Sequence, residues 1–216
     1  MNKQHLAVII LVLIALVGFG AYYYSTHKTG DEAALVAGET VTNKDLDLEF
    51  KYPGGDTGFE LLQPDGTDKG ILKSYLMIPK AEYQTYKTTE GATEAPAGMN
   101  VFILALPDND ATSTDATAPA TTTSTSTPRM SRIAELQEWA NKNSTFTSIG
   151  LAKAAPETVE IDGVKALHYQ ADGLYQQDIY LVSYKNRAYM FVGQYNDLKD
   201  ITYTSFQELI KSVSFQ

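Results

Sequence analysis

The first apolar positions of the chain show no period. From Leu6 to Ser25 the sequence reads LAVIILVLIALVGFGAYYYS, with no charge between His5 and His27. About 20 such residues are enough to cross a bilayer as a helix. Tyr22, Tyr23 and Tyr24 follow the aliphatic part, where amphipathic rings favour the headgroup level. Two readings are open. Residues 1–25 form a retained signal-anchor, or Leu6 to Val17 is the core of a secretory signal cut near Ala21. Both export the rest of the chain, and the first leaves a single-pass protein of the cell membrane with its C-terminal domain extracytoplasmic. Residues 26–45 are rich in Thr, Ala, Gly and Glu and read as a flexible tether, with one short strand around Glu39 to Thr42 as the other reading.

A period of two begins at Leu46. In LDLEFKY the apolar Leu46, Leu48, Phe50 and Tyr52 alternate with charged residues, which marks a half-buried strand ended by Pro53-Gly54-Gly55. Short strands are expected at Phe59 to Leu62 and Lys73 to Ile78. The run Met99 to Leu106, MNVFILAL, is apolar on both faces and reads as a central strand covered twice. A helix is expected from Pro128 onward, with Ile133, Leu136, Trp139 and Ala140 on one face and Glu138 paired to Lys142 on the other. Asp162-Gly163 joins two strands as a hairpin. Asp178 to Tyr184 and Ala188 to Gln194 form a second pair through Lys185-Asn186-Arg187. The closing helix is expected to be capped at Thr204 or Ser205 and to bury Phe206, Leu209, Ile210 and Val213. Strands in hairpin order with two helices imply an α+β fold, an antiparallel sheet packed by helices.

Between the two patterned blocks, residues 108–127 are Ser, Thr, Ala and Pro with few other side chains, so the segment is expected to be a disordered insertion and the first place a protease nicks. The length of 216 residues suits one domain, 46–216, behind the anchor and tether.

The run from Ile161-Asp-Gly163 through the two aromatic strands to Ile210-Lys-Ser-Val-Ser-Phe215 resembles the end of PsbP-like domains, related in fold to the Mog-type Ran-binding proteins. Phe50-Lys-Tyr-Pro53 resembles the opening of the same families, and the helix around Leu136-Gln-Glu-Trp139 falls where theirs does. The resemblance covers Leu46 to Phe215 apart from the insertion. It implies a PsbP/Mog-like α/β/α sandwich acting as a non-catalytic assembly or binding module. The membrane segment and acidic balance do not fit a nuclear Ran-binding role.

Composition narrows the chemistry further. Seventeen Lys and Arg face 26 Asp and Glu, a formal net charge of −9, which repels phosphate backbones and argues against nucleic-acid binding. The absence of cysteine excludes disulfides, thiolate metal sites and a lipid-modified N-terminal cysteine. No Gly-rich phosphate loop, G-x-S-x-G elbow or H-E-x-x-H occurs. His168, with no second ligand at metal spacing, reads as structural or as part of a ligand surface, so no metal or cofactor is expected.

Tyr180, Tyr184, Tyr189 and Tyr195 lie along the two long strands. They read as cross-strand pairs that stabilise the sheet or as an exposed platform for a partner protein or glycan. Asp162 and Asp172 precede glycines, which is turn chemistry, and Asp197 and Asp200 stand where a helix start favours acids. Two functions remain open. The first is an extracytoplasmic binding or scaffold module for another envelope component. The second is an envelope-polymer hydrolase using paired carboxylates in the 172–200 region, which requires two of them to converge in a cleft.

Overall fold

The computed structural model describes residues 38–64, 70–91, 94–106 and 132–216. The expected membrane span, the first part of the tether and the 108–127 insertion lie outside the described residues. Among those described, no helix is long and apolar enough to cross a membrane.

Two antiparallel sheets and a few helices make up the α+β architecture. The small sheet joins β1 (Gly38–Asn43), β2 (Leu48–Pro53) and β10 (Ser214–Phe215) in the order β1-β2-β10. The large sheet contains β3 (Phe59–Leu62), β4 (Ile71–Pro79), β5 (Met99–Ala105), β6 (Glu157–Ile161), β7 (Val164–Asp172), β8 (Gln176–Tyr184) and β9 (Arg187–Tyr195). Its order is β3-β4-β5-β9-β8-β7-β6, and every neighbouring pair is antiparallel. The helices are α1 (Lys80–Thr88), α2 (Arg132–Lys142), α3 (Ser144–Thr147) and α4 (Ile201–Ser212).

The apolar run at residues 99–106 occupies the place its pattern requires. β5 lies between β4 and β9, with Met99, Val101 and Ile103 fully buried on one face and Leu104 buried on the other. On the first face α4 and β2 close a core in which Leu48, Phe50, Phe191, Phe206 and Leu209 meet. On the second face α2 packs on β7 and β8 through Leu136 and Ala140, with Ile133 and Trp139 at the margin. The expected Glu138–Lys142 pair forms at 2.7 Å on the exposed side of α2.

Both hairpin turns bend the same way. Asp162 and Gly163 have φ of 50° and 72°, and Lys185 and Asn186 have 43° and 58°. Positive φ at both central residues suits the right-handed twist of the flanking strands. The second turn therefore has two residues, and Arg187 already belongs to β9. A left-handed lysine is unfavourable by itself; here its Nζ bonds Asp47 Oδ1 at 2.8 Å and the Gln216 carbonyl at 2.7 Å.

Several elements depart from the sequence reading. Of the two readings of the tether's end, the strand around Glu39 to Thr42 is the one that holds: β1 pairs with β2 from Gly38–Pro53 to Asn43–Leu48, so the folded part begins before Leu46. Its sequence, GETVTN, lacks an apolar alternation. Pairing with β2 and the Glu39 carboxylate, which accepts from Tyr52 Oη at 2.5 Å and Gly55 N at 3.1 Å, hold it instead. Helix α1 was not legible because it buries no residue.

Helix α4 starts at Ile201, earlier than either expected cap, because Asp200 Oδ1 accepts from Thr202 N at 2.9 Å. Thr204 and Ser205 lie inside the helix, and Ser205 is buried. Asp200→Ala is expected to cost about 1 kcal/mol, the usual value of an N-cap, measured as a shift in the urea midpoint. An unchanged midpoint would assign the helix start to tertiary packing alone.

Candidate functional site

The register places the four candidate tyrosines on one face. Tyr180 is opposite Phe191, Tyr184 opposite Arg187, Tyr189 opposite Val182 and Tyr195 opposite Gln176. That face looks inward, towards α4 and the small sheet. Tyr189 is 0% and Tyr195 1% exposed, so the four do not form an exposed platform. Tyr189 Oη donates to the Leu46 carbonyl at 2.9 Å. Tyr195 rests 4.7 Å from the Tyr203 ring, and its burial pushes the hydroxyl up to about 12. Tyr184, half-buried, lies 5.0 Å from Phe215. Their joint role is to fasten β8 and β9 to the layer above.

His168, also on this face, is at the centre of a polar chain. Its ring stacks on Tyr180 at 4.3 Å and 18°. Nε2 lies 2.6 Å from Asp178 Oδ1 and Nδ1 2.7 Å from Glu157 Oε1, so the protonated ring donates to both carboxylates. The second oxygen of Asp178 accepts from Gln207 Nε2 at 2.7 Å. Asp178 is only 2% exposed, so its charge depends on these partners. The hydrogen bond to Asp178 raises the histidine pKa above its ordinary value; burial opposes this, and Glu157 adds to it.

While the ring is protonated, the state its raised pKa favours, neither nitrogen has a lone pair open to a metal. The two carboxylates sit at opposite edges of the ring and do not converge on a common point. What the group can do is tie β6, β7, β8 and α4 together.

The carboxylates of the 172–200 region also have structural partners. Asp172 pairs with Lys153 at 2.9 Å. Asp197 Oδ1 accepts from Lys199 N at 2.7 Å, and Asp200 accepts from Asn196 N at 3.2 Å besides capping α4. With Asp178 held by His168, each of the four has a charge or backbone partner of its own.

The opposite face of the large sheet offers a different chemistry. Beyond the cover of α2, a groove of about 490 Å³ lies over β4, β5, β8 and β9, between α3 and the loops 94–96 and 174–175. Ile78, Ile179, Met190 and Val192 form an aliphatic floor. Three carboxamides, Asn100, Gln177 and Gln194, stand in it, the last two directly opposite each other in register. Asn100 is 8% exposed, and its carboxamide is open to the groove, since no buried side-chain N or O among the described residues lacks a partner.

Among the described residues no Lys or Arg lines the groove, and Glu94 is the one charged residue in it. A second hollow of about 460 Å³ adjoins it, with Glu94, Pro96 and Tyr175 common to both and Glu82 on its far side. Tyr175 Oη donates to the Ala95 carbonyl at 3.2 Å, which steadies the wall between them.

The chain matches no family model, and no curated protein matches it. Among solved structures it is similar to the solution structure of cyanobacterial PsbP (CyanoP) from Synechocystis sp. PCC 6803, at 14% identity over 85% of this chain and 95% of that chain, with a TM-score of 0.49. The likeness is one of fold.

The groove residues were absent from the sequence reading, though a signal existed. Asn100 interrupts the apolar run MNVFILAL, and Gln177 and Gln194 fall on the side of their strands that also presents Ile179 and Val192. A polar residue at an inward position of a central strand has to find a partner or line a cavity. Glu157 and Gln207, the outer members of the His168 chain, had no local signal.

Proposed function

We propose that this protein is a non-catalytic binding module, held at the cell membrane by residues 6–25, whose groove over β4, β5, β8 and β9 receives part of another envelope component on the extracytoplasmic side. The observation that carries the reading is the groove itself, in which the carboxamides of Asn100, Gln177 and Gln194 stand over an aliphatic floor. An apolar cleft with a few convergent polar groups is the usual form of a binding site, the floor supplying affinity and the amides orientation. The location rests on the uncharged run of Leu6 to Ser25, followed by all 26 acids.

A photo-crosslinking side chain at exposed Thr145, on the groove wall, is expected to capture a discrete partner in the native membrane; one at Glu208, on exposed α4 across the sheet, captures none. Thr145→Trp blocks the groove by bulk and is expected to abolish capture from a second reporter at Leu174. Equal labelling from Thr145 and Glu208 would overturn the groove as the site. The full chain is expected to resist carbonate extraction, whereas a soluble form beginning near Ala21 would overturn the anchor.

A further inference from the structure

The two adjoining hollows differ in a way that restricts their occupant. The first has an aliphatic floor and three carboxamides, each able to donate and accept. The second is acidic, with Glu82 and Glu94 in its lining and no basic residue among the described ones. Nearby lysines are engaged elsewhere: Lys80 Nζ donates to the Gly55 carbonyl at 2.7 Å, and Lys87 lies over the Tyr83 ring at 4.5 Å. Burial and the neighbouring Asp200 raise the Glu82 pKa, the signature of a carboxylate short of a counter-charge. Leu174, one of the larger exposed apolar side chains, stands in the groove wall.

We infer that the occupant is an extended peptide segment of a partner protein, apolar and bearing one lysine or arginine, whose backbone amides bond Asn100, Gln177 and Gln194 while its basic side chain crosses the Tyr175–Pro96 wall to Glu94 and Glu82. This rests on the groove reading above and specifies its ligand. Carboxamides suit a peptide backbone because each pairs at once with an N–H and a C=O. The aliphatic floor suits alternate apolar side chains, which an extended chain presents on one side. A glycan fits less well, because sugars stack on open aromatic faces and the floor of the groove is aliphatic. An anionic ligand finds no cation among the described residues of either lining.

The test uses the solubilised full-length chain and the fluorescent peptide Val-Thr-Val-Lys-Val-Thr-Val, with counterparts carrying Gln or Glu in place of Lys, read by anisotropy against a detergent blank. The Lys peptide is expected to bind roughly tenfold more tightly than the Glu peptide. Glu82→Gln with Glu94→Gln should reduce that ratio to about twofold, and Glu138→Gln with Glu208→Gln, of equal charge change elsewhere, should leave it intact.

Asn100→Leu, checked for folding by circular dichroism, and Thr145→Trp should each weaken all peptides. Equal effects of the two charge pairs would reduce the preference to net charge and overturn the inference. Binding indifferent to both Asn100→Leu and Thr145→Trp would place the peptide elsewhere and overturn it as well. Absence of peptide binding, with a chito-oligosaccharide bound and displaced by Thr145→Trp, overturns the peptide but keeps the groove. A concentration-dependent dimer lost in Thr145→Trp would make the occupant a second copy of this chain.

Discussion

Replacing His168 by leucine is expected to lower folding stability by about 3 kcal/mol at pH 6, because it leaves the Asp178 charge buried with a single neutral partner. Asp178 is 2% exposed and bonds His168 at 2.6 Å and Gln207 at 2.7 Å. Only the first of these carries a compensating charge. Glu157 contributes less, since its side chain is 66% exposed and solvent screens the pair. Asp178→Asn is the milder change, since it removes the buried charge together with the need for a cation and keeps the shape.

The same site makes stability fall with pH. The folded-state pKa of His168 is raised, chiefly by Asp178. Its contribution is therefore fully present below the unfolded value of about 6.5, and declines as pH rises through the higher folded value. Part survives at high pH, because a neutral imidazole still donates one hydrogen bond. The groups facing the ring are Glu157 from β6, Asp178 and Tyr180 from β8, and Gln207 from α4. Urea midpoints between pH 5.5 and 8.5 should slope down for the wild type and lose that slope in His168→Leu. A leucine variant as stable as the parent at pH 6 would remove the argument for the chain of bonds.

Gly193→Ala should be nearly as damaging, at about 2–3 kcal/mol. Gly193 lies in β9 opposite Asp178 and Met99, where α4 crosses the sheet. A methyl group there would come within 2.5 Å of the Phe206 ring, which is fully buried in the core and 6.0 Å from Tyr180. The clash is with a ring fixed by its neighbours, so the helix must lift or the strand must bend. Phe206→Leu, which alone leaves a cavity, should recover part of the loss when combined with Gly193→Ala. The thermal midpoints of the four-member cycle measure that coupling. Strict additivity would mean that the glycine is needed for some reason other than the close approach of α4.

Much of the fold was legible because its signals are local. Leu48, Phe50 and Tyr52 repeat every two residues, Asp162-Gly163 supplies the left-handed turn, and Leu136 and Ala140 fall on one helical face. Each recurs in the structure as a buried strand face, a hairpin and a packed helix side. The Asp200 cap was half legible. Its acid was read as favouring a helix start, but hydroxyls at Thr204 and Ser205 offered competing caps, and only the backbone path decided between them.

The sequence by itself determined where strands and helices alternate, that the chain carries an uncharged run long enough for a bilayer, and that it has no Gly-rich phosphate loop, G-x-S-x-G elbow or H-E-x-x-H. The tertiary structure decided which side of each strand faces what. A period of two is the same whether a tyrosine meets water or a helix. Tyr189 and Tyr195 became core residues only because α4 and the small sheet cover their face. β1 is a strand only because β2 had an open edge to pair with. His168 found Glu157 and Asp178 through the register of three strands, and Asn100 came to line a groove because α2 stops over β7 and β8. Register and cover depend on contacts between residues far apart in the chain, and local pattern carries no record of them.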